Sequence, residues 1–454
     1  MRNAHSAMRR GERGQTIALM AVAMVSLLAM AALAIDVVTL YVARGEAQRA
    51  AESAALAGAR MFVSSGYTSN PTGITFGDVC QSSPTSSAAA NRAAVAVAQQ
   101  NKIAGQAATI QTVACNPSPT TNPRMTITVQ RTGLPTFFGR IFPSQVSTVS
   151  ATATAEAYNA SGQSGQIQLT GVKPFFVGDC LAGPFIPPLT CTTHHFLDPS
   201  GNPIPSAIGE TLHFSRLSIF SPLTPTTNTA TYYPLNIPDD PAAPICGSTS
   251  DASGSCSWIG SGGAGIGQYH DNIACTSQYR FSCGGQIRLP GLVNLALLPD
   301  IDPTLENRWT RRGVRCRIHA SIPGTLGNDQ DIITAGVGQP ISIEGGDNNP
   351  NPDLRGANNI SRSDSLITVP IYPPGANGTL LCPPGLPCDT ANISGFLQLA
   401  VTQTSQGSDP TAYPWQFEAV VVNAVGCQAA GMSGTPVIGS GSSPIPVRLV
   451  QNTP

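Results

Sequence analysis

From Ile17 to Ile35 the chain carries no charged side chain, and Ser26 is the only polar one. As an α-helix this run spans roughly 28 Å at ~1.5 Å per residue, close to the ~30 Å of a bilayer's hydrocarbon core. A helix satisfies every backbone donor and acceptor within itself, so it is the structure such a run adopts in lipid. Ile17, Leu19, Val25, Leu27, Leu28, Leu33 and Ile35 are its principal membrane-anchoring side chains, and Asp36 closes it. Arg2, Arg9, Arg10 and Arg13 precede the run against the single acid Glu12. That bias places the N-terminus in the cytoplasm and everything after Asp36 on the far side. A cleavable signal peptide is the alternative, since Ala32-Leu33-Ala34 has the A-x-A form of a cleavage site. The run exceeds the usual ~7–15 residues of a signal's apolar region, which favours an uncleaved anchor.

The helix is expected to continue beyond the membrane. Val37 to Phe62 contains no proline and is rich in Ala, Arg, Glu and Gln, all good helix formers. Ala43, Ala47, Ala50, Ala54, Ala57 and Met61 recur at alternating steps of four and three, which is one helical face. Small side chains on that face allow another element to approach closely. Either the chain's own sheet or a partner helix could be that element.

Composition agrees with an exported protein. Only 11% of the 454 residues are charged, against about 25% in an ordinary soluble domain. The net charge of −1 gives no electrostatic footprint for nucleic acid. Twelve cysteines, an even number, suit disulfides in an oxidising compartment.

The stretch Arg13-Gly14-Gln15-Thr16-Ile17-Ala18, the apolar run to Asp36, and Ala47-Gln48-Arg49-Ala50-Ala51-Glu52-Ser53-Ala54-Ala55-Leu56-Ala57-Gly58-Ala59 together resemble the N-terminal region of the TadE/TadG-like Flp pilus assembly family. In that family a basic-Gly start leads into a membrane helix closed by Asp and followed by an Ala-rich helix. Glu52 stands where the family pattern has Asp. Pro135–Phe142 and Val149–Ala155 are similar to a second segment of the family. The resemblance implies a bitopic bacterial inner-membrane protein with a large periplasmic part, acting in tight-adherence pilus biogenesis. Processed prepilin-like members carry Glu at the fifth mature position. Counting from Gln15, that position is Leu19, which argues against peptidase processing and against a pilin subunit.

The expected architecture is α+β and membrane-anchored. Residues 1–14 form a basic tail, 15–40 the transmembrane helix, and 41–158 a small α+β region in which the Ala-rich helix lies on a sheet. Residues 159–166 form a linker, and 167–454 a β-rich, disulfide-containing region. Thr109–Ala114, Met125–Arg131 and Ser147–Tyr158 alternate as strands, Ala88–Ile103 has helical character, and Phe137–Phe142 suits a short helix. Beyond residue 167, short apolar runs between Pro/Gly turns favour a β-sandwich or an irregular β domain, with one short helix near Leu305–Arg312. Cys80 and Cys115 flank the second helix and suit a staple. Spacing suggests the local pairs Cys180 with Cys191, Cys246 with Cys256, Cys275 with Cys283, and Cys382 with Cys388, leaving Cys316 and Cys427. Connectivity does not follow from spacing.

No motif survives as a reaction centre. Asp251-Ala252-Ser253-Gly254-Ser255 has the D-x-S-x-S form of a metal-ion-dependent adhesion site but lacks the preceding hydrophobic strand. Gly260–Gly265 is a G-x-G-x-x-G outside any βαβ unit. His194, His195 and His213, near Cys180 and Cys191, match no common zinc spacing. Asp347, Asn349, Asn351 and Asp353 alternate like a calcium loop, but Pro352 stands where glycine is needed and Asn358 where the bidentate Glu belongs. Asp300, Asp302 and Glu306 lie beside Arg308, Arg311 and Arg312 and read as a mutually paired surface. No catalytic residue, cofactor or metal ligand is assigned, and an enzyme is not expected. Other pilus-assembly proteins and the inner membrane are the expected partners. The competing reading is an envelope-anchored, adhesin-like or ligand-binding β protein.

Overall fold

The computed structural model describes residues 4–117, 122–134, 147–159, 161, 167–181, 193–216, 228–235, 266–287, 303–320, 329–374, 391–405, 415–427, 437–438 and 443–450. Its first element is one uninterrupted helix, α1 (Ala4–Ser64), of 61 residues. At ~1.5 Å per residue it is about 90 Å long. No proline interrupts it, and it ends where Gly66 adopts φ +80°, with its amide bonded to the Val63 carbonyl. A side chain at Gly66 would collide with Ile208 at 2.8 Å and the Val422 carbonyl at 3.0 Å. The same glycine therefore stops the helix and lets the turn pack directly on the Val422 backbone.

The second half of α1 lies on an antiparallel sheet. Its strands are β1 (Thr109–Asn116), β2 (Arg124–Arg131), β3 (Val149–Ala157) and, from the far end of the chain, β10 (Val447–Val450), in the order β10-β3-β2-β1. Met125, Ile127 and Val129 of β2 are buried beside Ala151, Ala153 and Ala155 of β3. Alanines of the helix thus meet alanines of the sheet, so the two backbones approach closely. A second helix, α2 (Ala89–Gln100), packs on α1. On the opposite sheet face, hydroxyl pairs Thr126–Thr154 (2.8 Å) and Thr128–Thr152 (2.9 Å) bridge the strands.

The membership of β10 in this sheet departs from the expected division of the chain, because it is drawn from the end of the C-terminal region. Glu156, 2% exposed, fixes it there by accepting from Arg124 (2.8 Å) and Arg448 (2.8 Å). Burial pushes the Glu156 carboxyl up, but the hydrogen bonds from Arg448 and Arg124 outweigh it and hold it below the usual glutamate range. The folded-state value is lowered, so this stabilisation is present above the ordinary pKa of 4.5 and is lost as pH falls through the folded value. Glu156→Gln should cost about 1–2 kcal/mol at neutral pH. Its denaturation curve should converge on the parent's in acid, and a difference that persists in acid would contradict this origin.

The remaining large strands are β4 (Phe175–Leu181), β5 (Thr211–Arg216), β6 (Thr229–Pro234), β7 (Leu366–Tyr372), β8 (Gly395–Thr404) and β9 (Phe417–Gly426). They close into a barrel in the order β7-β8-β9-β5-β6-β4, rather than the expected sandwich or irregular domain. β5 with β6 and β4 with β7 pair in parallel, and the other neighbours are antiparallel. Phe175, Tyr232, Phe214 and Phe417 pack together, with Phe214 and Phe417 stacked at 4.8 Å between centroids. Two helices depart from expectation: α3 (Ile266–Ala274) has no counterpart there, and α4 (Pro303–Arg317) is longer than expected. One continuous hydrophobic cluster runs from Ala43 through the sheet to the barrel, so residues 159–166 do not separate two independent cores.

Cys80 and Cys115 are bonded, tying the loop before α2 to β1. Cys283 is bonded to Cys427, not to Cys275, because backbone hydrogen bonds through Ile393, Ser394 and Gly285 bring the end of β9 beside residue 283. Cys180, Cys275 and Cys316 are also disulfide-bonded. Cys191, Cys246, Cys256, Cys382 and Cys388 lie outside the described residues, as does Phe137–Phe142.

Candidate functional site

The two halves of α1 have opposite surroundings. Ile17, Leu19, Val25, Leu27, Leu28, Leu33 and Ile35 are bare, from 50% exposed at Ile35 to 70% at Ile17. The bare surface continues past Asp36 through Val37, Val38, Tyr41 and Val42. A contiguous apolar surface of this extent marks a segment that contacts a membrane or another protein. The segment is long and apolar enough to cross a membrane by length and composition. Its few polar side chains turn inward. The Ser26 hydroxyl donates to the Ala23 carbonyl (2.8 Å) and the Thr39 hydroxyl to the Ile35 carbonyl (2.9 Å), which lowers their cost in an apolar medium. Asp36 is buried.

Regular burial begins at Ala43. Ala43, Ala47, Ala50, Ala54 and Met61 are within 1% of full burial, and Ala57 is half-buried. Their neighbours are the chain's own sheet and α2. The alanine seam is therefore occupied internally and is not a surface awaiting a partner helix. Periodicity identifies the face but carries no information about what covers it.

The end of α1 is clasped by the barrel. Asn423 of β9, fully buried, accepts from the Thr68 hydroxyl (2.9 Å) and the Ser69 hydroxyl (3.1 Å). Its amide donates to the Val63 carbonyl (2.7 Å) and to Gln398 Oε1 (2.7 Å). No sequence signal marks Asn423, which lies in an otherwise apolar strand. Asn423→Ala leaves several buried polar groups unpaired and should cost about 3 kcal/mol. Thermal unfolding of the intact chain in detergent measures this, with the outer-face Thr128→Val expected to change little. Equal effects from the two substitutions would contradict the clasp.

The candidate chemical motifs do not converge. His194 pairs with Asp179 (2.6 Å), His195 with Glu210 (2.7 Å) and His213 with Glu418 (3.1 Å), each histidine on its own carboxylate. Asp179 Oδ1 also accepts from the amides of Phe196 (2.7 Å) and Leu197 (3.1 Å), a loop-holding role. Burial pushes its carboxyl up, with those bonds opposing. Among the described residues, no group of three or more His, Cys, Asp or Glu side chains is arranged to hold a metal. Asn349 donates to Asp331 (3.0 Å) and Asn351 accepts from the Asp353 amide (3.1 Å), so the calcium-like spacing is a chain of self-bonded turns. Residues 251–255 and 260–265, with Asp300 and Asp302, lie outside the described residues. Lys173 is fully buried and donates to the carbonyls of Asn272 (3.2 Å) and Cys275. Burial holds its amine well below the ordinary lysine value.

Residues 14–61 match the family described as putative Flp pilus-assembly TadE/G-like. The matched stretch lies wholly within α1 and covers both its bare half and its docked half. No curated protein and no solved structure matches the chain.

Proposed function

We propose that the protein is a membrane-anchored structural or assembly component of Flp/Tad-type pilus biogenesis. It crosses the inner membrane once, with its N-terminus in the cytoplasm and its bulk in the periplasm. The observation that carries this reading is the continuity of α1. One helix, matched to the pilus-assembly family over residues 14–61, runs from a bare apolar segment into a packed fold without a break. Orientation follows from the four arginines that precede the apolar run.

The mechanism is positional, and no reaction is assigned. From Ile35 to the Asn423 contact at Val63 the helix rises about 42 Å at ~1.5 Å per residue. Sheet, α2 and barrel are gripped along that length, so the barrel is held at a set distance and angle from the membrane. Partners then meet the outer faces of the sheet and barrel rather than the alanine seam. Crosslinking in native membranes, followed by recovery of the tagged full chain, tests this. Recovery of pilus-platform proteins is expected. Recovery of none from cells that assemble the pilus would overturn it.

A further inference from the structure

We infer that the cleft between α1, α2 and the loop of residues 351–362 is a binding site for a soluble anion bearing phosphate or carboxylate groups. The cleft has a volume of about 630 Å³, within the usual range for small-ligand sites. Arg60, Arg92 and Arg362 line it, against Asp353 as the only acid among the described lining residues. None of the three guanidinium groups makes a hydrogen bond or ion pair with a described residue. Elsewhere in the described fold, Arg124, Arg317 and Arg448 each have a carboxylate partner. Arg60 is half-buried, and both burial and the neighbouring Arg362 charge hold its guanidinium below the ordinary value. Two like charges beside a partly desolvated cleft are costly without a counterion. An anion between them would relieve both, and planar guanidinium forks suit phosphate and carboxylate oxygens.

The site is built rather than accidental. The Arg355 guanidinium donates to the Asn349 carbonyl (2.9 Å), the Ile360 amide to the Ile343 carbonyl (2.9 Å), and Ser363 to Asp331. These bonds fix the loop that presents Arg362. Leu56, Val97 and Leu354 give the cleft an apolar wall, so it accommodates the carbon skeleton of an anionic ligand as well as its charge.

The source of the anion follows from position, and this step alone rests on the anchored reading. Ala57 is 22 residues beyond Ile35, a rise of about 33 Å, whereas headgroups extend only ~5–8 Å past the hydrocarbon. Lipid of the anchoring bilayer does not reach the cleft.

Calorimetric titration of the full chain in phosphatidylcholine nanodiscs, with pyrophosphate as probe, tests the site. Saturable binding is expected, weakened about tenfold in Arg60→Gln and in Arg362→Gln and unchanged in Arg280→Gln. Arg362 is exposed, so its variant should fold normally. Arg60→Gln should also raise the melting temperature without anion while losing the anion-dependent rise. Absence of both pyrophosphate binding at millimolar concentration and Arg60-dependent vesicle capture, or pyrophosphate binding equal in all variants, would overturn the site. Arg60-dependent capture of phosphatidylglycerol vesicles without pyrophosphate binding would overturn the soluble source. Repeating the titration in detergent separates failure of the site from failure of the anchored reading.

Discussion

Leu27→Arg combined with Leu28→Arg should move the protein from the membrane fraction to the soluble or aggregated fraction. Both side chains sit in the middle of the bare segment of α1, 65% and 69% exposed. Each arginine at the centre of a membrane helix costs about 3 kcal/mol on insertion scales, so the pair opposes insertion by roughly 6 kcal/mol. That corresponds to a ratio of roughly 10⁴ or more between inserted and non-inserted chain. The sheet and barrel should melt unchanged, because the substituted positions contribute no burial to them. Sedimentation after alkaline carbonate washing, paired with a thermal melt of the solubilised chain, separates the two effects. Retention of the double variant in carbonate-washed membranes would show that another segment holds the protein there.

The second large effect belongs to the Cys283–Cys427 disulfide. It closes a loop with a sequence separation of 144, against 35 for Cys80–Cys115. Chain-entropy reasoning gives about 5 kcal/mol for the longer loop and about 4 for the shorter, as upper values. The longer bond also ties the end of β9, the strand that carries Asn423, to the residue after the Phe281–Ser282 strand. Cys283→Ala with Cys427→Ala should therefore lower the melting temperature more than Cys80→Ala with Cys115→Ala. Reductant should lower the parent's melting temperature at least as far. A melting temperature unmoved by loss of the Cys283–Cys427 bond would contradict a global role for it.

What could be read from the sequence was local. Nineteen uncharged positions and an alternating step of four and three specify a helix and its faces without reference to the rest of the chain. Strand β2 and the first half of β3 were legible for the same reason, since each alternates within itself, whereas β1 was legible despite a register shift between Ile110 and Thr112. The departures concern pairings between distant residues. Sandwich and barrel strands share one alternation pattern. Closure here depends on the parallel pairs β5–β6 and β4–β7, the latter joining Val177 to Ile371. The return of Val447–Val450 to β3 and the bond from Cys283 to Cys427 are of the same kind. Asn423 shows a further limit. A polar residue in an apolar strand reads as a defect until the helix end that it satisfies is in place. Arg60 is the converse case, since its position within the helix was legible but its charge beside Arg362 depends on a loop about 300 residues away in sequence.

The most direct test of anchoring is the state of the native chain's N-terminus in carbonate-washed membranes. Intact-mass analysis should find a membrane-embedded chain that still carries Arg9, Arg10, Arg13 and the whole apolar run. Protease added to spheroplasts should then digest the sheet and barrel but leave the N-terminal arginines protected. A chain beginning at Ile35 and recovered in the soluble periplasmic fraction would contradict an anchored assembly protein and mark the apolar run as a cleaved export signal.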